Sequence, residues 1–216
     1  MKIEKHILNA NGALNPYLDD LNQMFSKWLP IITKQLPIDA LDICVAKYPQ
    51  GTNPKLGVGG VALNSNLLYI YMDTSNSNIK DSIHTHIPEA LAHEMHHCAR
   101  LAIYSDVKTL GENFVLEGLA CQFESEICGE GKEPSFIPAE VLNTWRDYIN
   151  QAAPLLDSDD YCFNTWFLGK APDEMPKYLG YAMGYQIVGE YLKKNKTNAA
   201  KAYDKSAKEI ISSVLQ

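Results

Sequence analysis

The sequence has no C-x-x-C pair, and its five cysteines, Cys44, Cys98, Cys121, Cys128 and Cys162, are odd in number and widely spaced. That pattern fits a reducing compartment better than a disulfide framework. No window reaches the roughly 18 apolar residues that a membrane span needs. Residues 1–16 carry Lys2, Glu4, Lys5 and His6 without a continuous apolar run, so a secretory signal is not expected and the expected location is the cytoplasm. Basic residues are outnumbered, 19 against 26 acidic ones, for a net charge of -7. Nucleic acid and anionic membrane surfaces select for concentrated Lys and Arg, and neither is an expected partner. The one basic-rich stretch, Lys193, Lys194, Lys196, Lys201, Lys205 and Lys208, reads as a solvated helical face. Internal repeats, low-complexity tracts and phosphate-binding glycine loops are missing, as is any signature of a Ser or Cys nucleophile.

What the chain does have is 46% hydrophobic residues over 216 positions, enough for a real core. It also has His93-Glu94-Met95-His96-His97. Residues four apart on a helix lie one turn apart on the same face, so His93 and His97 can aim their imidazoles at one point. Glu94 sits about 100° further round, near a metal held there but off the ligand stripe. This is the H-E-x-x-H pattern of zinc hydrolases, in which the glutamate takes a proton from a water that Zn²⁺ acidifies. Pro88 suits a first helical turn, and Ala90, Leu91, Ala92, Met95, Ala99, Leu101 and Ala102 carry the helix to about Tyr104. His96 competes with His97 at spacing three, but His97 completes the motif and is better aligned.

Catalytic zinc sites commonly use three protein ligands and keep a fourth position for water. Twenty residues beyond His97, Glu117 lies among Phe114, Leu116, Leu119, Ala120 and Phe123, which suit a second, largely buried helix. A buried carboxylate wants a partner or a metal, which makes Glu117 the candidate third ligand. Glu112, a cysteine and His84 stay open as alternatives. Cys98 and Cys121 are conceivable soft ligands, though a buried inert thiol is the simpler account of each.

Taken together, His93-Glu94-Met95-His96-His97, then Glu117-Gly118-Leu119-Ala120, then Gly180-Tyr181-Ala182-Met183-Gly184-Tyr185, resemble the YjaZ-like family of predicted zinc-dependent proteases, and more broadly the thermolysin-like gluzincin metallopeptidases. The resemblance covers roughly residues 58 to 195. It implies a glutamate third ligand on a later helix and an extended peptide substrate held along a strand edge above the motif helix. One departure from thermolysin stands out. Four residues after Glu117 comes Cys121 rather than an aspartate, so support for a zinc-bound histidine must come from elsewhere.

Along the rest of the chain, a helix is expected from Asn15, with Leu18, Leu21, Met24, Phe25 and Trp28 on its apolar side and a disturbance at Pro30. Asp39 to Tyr48 reads as a strand, and 57–63 with 67–73 as a two-stranded hairpin, either the substrate edge that the resemblance implies or a plain structural hairpin whose glycines only relieve a bulge. His84 and His86 alternate along what looks like an extended segment and are expected at the surface or beside the site. Residues 138–152 read as a helix and 154–176 as irregular. Tyr178 to Lys194 is a further helix, on which Gly180 and Gly184 allow close backbone approach and Tyr181 and Tyr185 point together. Either tyrosine hydroxyl can stabilise an oxyanion, and either ring can equally be core packing.

The expectation is therefore an α+β fold, with a small, mostly antiparallel sheet packed on the motif helix, followed by a mainly helical lobe, as in a minimal gluzincin. A single catalytic domain is expected over 1–216, its N-terminal lobe over 1–105 and its helical lobe, with the third ligand, over 106–216, the active site in the cleft between them. The expected activity is zinc-dependent hydrolysis of peptide bonds in a peptide or protein substrate. Glu94 is the expected general base, Tyr181 or Tyr185 the oxyanion partner, and His93, His97 and Glu117 the Zn²⁺ ligands. The rivals are a non-catalytic zinc-containing module that binds a peptide or protein, and a metal-dependent hydrolase of a non-peptide amide or ester.

Overall fold

A computed structural model describes residues 2–169 and 175–215. The chain divides into two compact units, Met1–Ser105 with Glu124–Gly131, and Asp106–Phe123 with Lys132–Gln216.

The first unit holds a four-stranded sheet of order β1-β2-β4-β3, formed by β1 (Lys2–Leu8), β2 (Ala40–Lys47), β3 (Val58–Asn64) and β4 (Leu67–Met72). Helix α1 (Leu18–Thr33) joins β1 to β2. β1 runs parallel to β2 and β2 parallel to β4, while only the β3–β4 hairpin is antiparallel. The expected mostly antiparallel sheet is thus corrected to a mostly parallel one. The hairpin was visible in the sequence, but β1 was not. Its residues are mostly exposed, so only Ile3 and Ile7 alternate with charged neighbours, and a helical crossover from β1 then imposes parallel pairing. Along β4, buried Leu68, Ile70 and Met72 alternate with half-buried Leu67, Tyr69 and Tyr71, which gives the sheet one core face.

Pro30 lies inside α1 without ending it. The helix loses one N–H there, but Ile32 is fully buried and the Thr33 hydroxyl donates to the Leu29 carbonyl at 2.8 Å, which holds the last turn. Helices α2 (Ile79–His84) and α3 (His86–Leu101) follow β4. His84 and His86 therefore end one helix and begin the next, rather than alternating along an extended segment. The reason is a stripe of Ile79, Ile83, Ile87 and Leu91 at spacing four, almost wholly buried. Each such side chain stabilises the fold by about 1.5–3 kcal/mol, which overrides the period of two suggested by the histidines. His84 lies 3.5 Å from Asp20, and His86 2.8 Å from Glu89. α3 packs on β3 and β4 and against α1 and α2.

Helix α4 (Leu110–Ile127) contributes its N-terminal part to the second unit and its end to the first. The second unit continues with α5 (Ala139–Thr144), α6 (Ile149–Ala152), α7 (Phe163–Leu168), α8 (Leu179–Asn195) and α9 (Ala207–Ser212). The helix expected over 138–152 is broken by a 3-10 turn at Trp145–Tyr148, and α7 lies in the stretch expected to be irregular. That stretch also includes 170–174, which lie outside the described residues.

Two glycines organise this unit. A side chain at Gly118 of α4 would come within 2.2 Å of the Gly184 carbonyl of α8, and one at Gly184 within 2.2 Å of the Phe114 carbonyl. The two helices therefore meet backbone to backbone, as Gly184 predicts. Gly180 instead lodges the Phe167 ring. Gln122 donates to the Tyr185 carbonyl at 2.8 Å and fastens the crossing. Among the described residues, no helix is long and apolar enough to cross a membrane.

Candidate metal site

The motif helix α3 carries its chemistry within the first unit. Its core residues Ile87, Leu91, Ala92, Met95 and Ala99 anchor it, and they fix which way the intervening polar side chains point. His93 and His97 come together as their spacing requires, with ring centroids 4.6 Å apart and planes nearly perpendicular at 88°. His93, Glu94 and His97 are each only 7% exposed, and His96 is fully buried. A charge on any of them is therefore desolvated and calls for a counter-group.

His93 has such a group in Glu124, from the last turns of α4. The His93 Nδ1–H donates to Glu124 Oε2 at 2.9 Å. An ionised carboxylate accepts and does not donate, so with Glu124 ionised the proton is on Nδ1 and the Nε2 lone pair is the one suited to a metal. Burial pushes the Glu124 carboxyl up, the His93 hydrogen bond pulls it down, and the charges of Glu89 and Glu94 add to the rise. Glu124 answers the departure noted at Cys121, seven residues past Glu117 instead of four. Sequence reasoning missed it. The available signal was the one that picked out Glu117, an acid inside an apolar helix.

Burial, with the charge of Glu94 adding to it, pushes the Cys98 thiol up to about 12. A thiol so poorly ionised is a poor nucleophile. Cys128 is likewise pushed up to about 12, and its thiol donates to the Pro88 carbonyl at 3.3 Å.

In the second unit, Glu117 is buried on α4, directly before the Gly118 crossing. Tyr185, also buried, follows Gly184 directly on α8. Tyr181 lies one turn earlier, its ring set edge-on against Phe136 at 5.2 Å and Phe167 at 5.3 Å. Aromatic packing is thus part of what Tyr181 does. His93, His97, Glu117 and Glu124 are among the buried side chains able to offer a ligand atom to a metal ion.

Residues 31–212 match the family described as predicted Zn-dependent protease (DUF2268). Zinc, the cofactor expected from the residues, is the cofactor in that description. The chain is also 25% identical over 195 residues to the uncharacterized protein YjfC of Bacillus subtilis (strain 168), covering 83% of this chain. It spans 63% of that relative's length.

Proposed function

Because the chain belongs to this family of predicted Zn-dependent proteases, we propose that it is a zinc metallopeptidase. In this reading His93, His97 and Glu117 hold the ion and Glu94 is the general base. The observation that carries it is the His93 Nδ1–Glu124 hydrogen bond beneath a second buried imidazole one turn away. A carboxylate behind a histidine fixes its tautomer and raises its basicity, and this is how metal-bound histidines are usually held. Two imidazoles and a carboxylate are a donor set that suits zinc with one position kept for water.

Glu117 fits as third ligand through the geometry of its own helix. It lies seven residues before Glu124, two turns or about 10 Å along the axis and nearly on the same stripe. The face of α4 that carries the partner of His93 therefore carries Glu117 as well.

Zinc, when bound, polarises a carbonyl and brings the pKa of water from 15.7 towards about 7. Glu94 accepts the proton of the attacking water and later delivers it to the leaving amine. Glu124 holds the His93 ring in place throughout. Tyr181 or Tyr185 donates a hydrogen bond to the oxygen that gains charge. The substrate is a peptide or protein, and the whole chain works as one catalytic domain of minimal gluzincin type with the cytoplasm as its place.

Elemental analysis of purified wild type and Glu117→Ala, after chelation and zinc reloading, tests the reading. Expected are about one zinc per wild-type chain, loss of zinc in the variant, and cleavage of a peptide library by wild type with Glu94→Gln as the inactive blank. An intact wild-type fold that takes up no zinc overturns it.

A further inference from the structure

β3 has two adjacent glycines whose missing side chains point to opposite faces of the sheet, and the two spaces are filled by different things. A Cβ at Gly59 would lie 2.0 Å from the Gly51 carbonyl oxygen, which is backbone and not the end of a flexible side chain. A Cβ at Gly60 would instead meet Glu94, lying 2.6 Å from its Cγ, 2.9 Å from Oε1 and 3.1 Å from the carboxyl carbon. Nothing else comes as near to that position as the candidate base.

We infer that Gly60 is a positioning residue for Glu94, reserving the space that lets this side chain adopt its working rotamer. The inference rests on the metallopeptidase reading for its functional meaning, but not for its geometry. Turning the carboxylate about its own bond would relieve the Oε1 contact. It would not relieve the contact at Cγ, because the position of Cγ is set by χ1. Relief there needs a different staggered χ1, and that carries the carboxylate away from where it stood. Glu94 is buried, so few alternatives are open to it. A methyl group at position 60 thus displaces the base while β3 keeps its pairing with β4. In an ordinary strand position, by contrast, alanine is better tolerated than glycine.

Gly59→Ala is the internal control. Its new methyl strikes backbone, so it should destabilise the fold whatever residue stands at 94.

The test is a set of thermal midpoints and zinc contents for Gly60→Ala and Gly59→Ala, each in the wild type and in a Glu94→Ala background, with steady-state kinetics on a cleaved peptide. For Gly60→Ala the inference expects wild-type zinc content and a kcat lower by tenfold or more with KM nearly unchanged. It also expects a Tm shift that becomes less negative, or positive, once Glu94→Ala has emptied the space that the methyl enters. Gly59→Ala should lower Tm equally in both backgrounds. Equal Tm shifts for Gly60→Ala with and without Glu94 would overturn the inference, because the methyl would then be meeting something else. A fully active Glu94→Gln enzyme would instead remove the metallopeptidase reading and leave the Tm coupling intact.

Discussion

α3 and α4 are both largely buried, and both carry acidic side chains that apolar helices rarely hold, but they arrange them differently. On α3 the candidate site residues sit within five consecutive positions, His93 to His97. On α4 they are strung out as Glu117 and Glu124, seven residues apart. That is a single stripe along one face of the helix. The helices meet the same demand, donor atoms on one side, by a compact motif in one case and a dispersed stripe in the other. The compact form is recognisable from its letters. The dispersed form shows only as polar residues that an apolar helix has no other reason to contain.

If Glu94 of α3 does the proton transfer while the α4 stripe completes and supports the metal site that His93 and His97 begin, substitutions should separate the two roles. Glu94→Gln should lower kcat by about 10²–10⁴-fold while zinc content stays at the wild-type level. Loss of zinc together with activity would mean that Glu94 is a ligand and the division is wrong. Glu117→Ala should weaken zinc binding more than any other single change on α4, as read by competition with a chelator of known affinity. An unchanged Kd would pass the role to Glu112, a cysteine or His84. Glu124→Ala should fall between Glu117→Ala and the wild type, with zinc affinity lower by about 10–100-fold. A zinc affinity equal to that of the wild type would reduce the His93–Glu124 contact to packing.

Gly118→Ala addresses the support of the stripe. Its methyl would be driven into the Gly184 carbonyl, and overpacking of this kind costs about 1–3 kcal/mol, measurable as a lower Tm or denaturant midpoint. Stability equal to the wild type would show that α8 can back away. Cys98→Ala, the smallest effect, should leave zinc content and kcat unchanged, and a loss of zinc there would make the thiol a ligand.

Strong periodic or motif-bearing segments were legible. The helix around His93, the 57–73 hairpin and the helix from Tyr178 all lie where the pattern of apolar residues puts them. β1 was not, because an exposed edge strand has little reason to be apolar, and with it went the parallel character of the sheet. The 138–152 segment kept its helical tendency, yet Trp145–Tyr148 tightened into a 3-10 turn, a local choice that periodicity does not encode. Glu124 escaped for a different reason. Its partner is 31 residues away in the chain, so no local spacing announces it. Gly60 escaped likewise, as the use of an absent side chain is visible only once its neighbour is known.

The division of α4 between the units bears on how this chain can be recombined with others. A cut after Ser105 leaves the first unit without Glu124–Gly131, and so leaves His93 without its carboxylate. A cut after Gly131 keeps that segment but takes Asp106–Phe123, and Glu117 with it, from the second. Neither unit can be exchanged as a cassette at a single crossover. Chimeras of this family should keep their zinc only when α3 and the whole of α4 are inherited from the same parent.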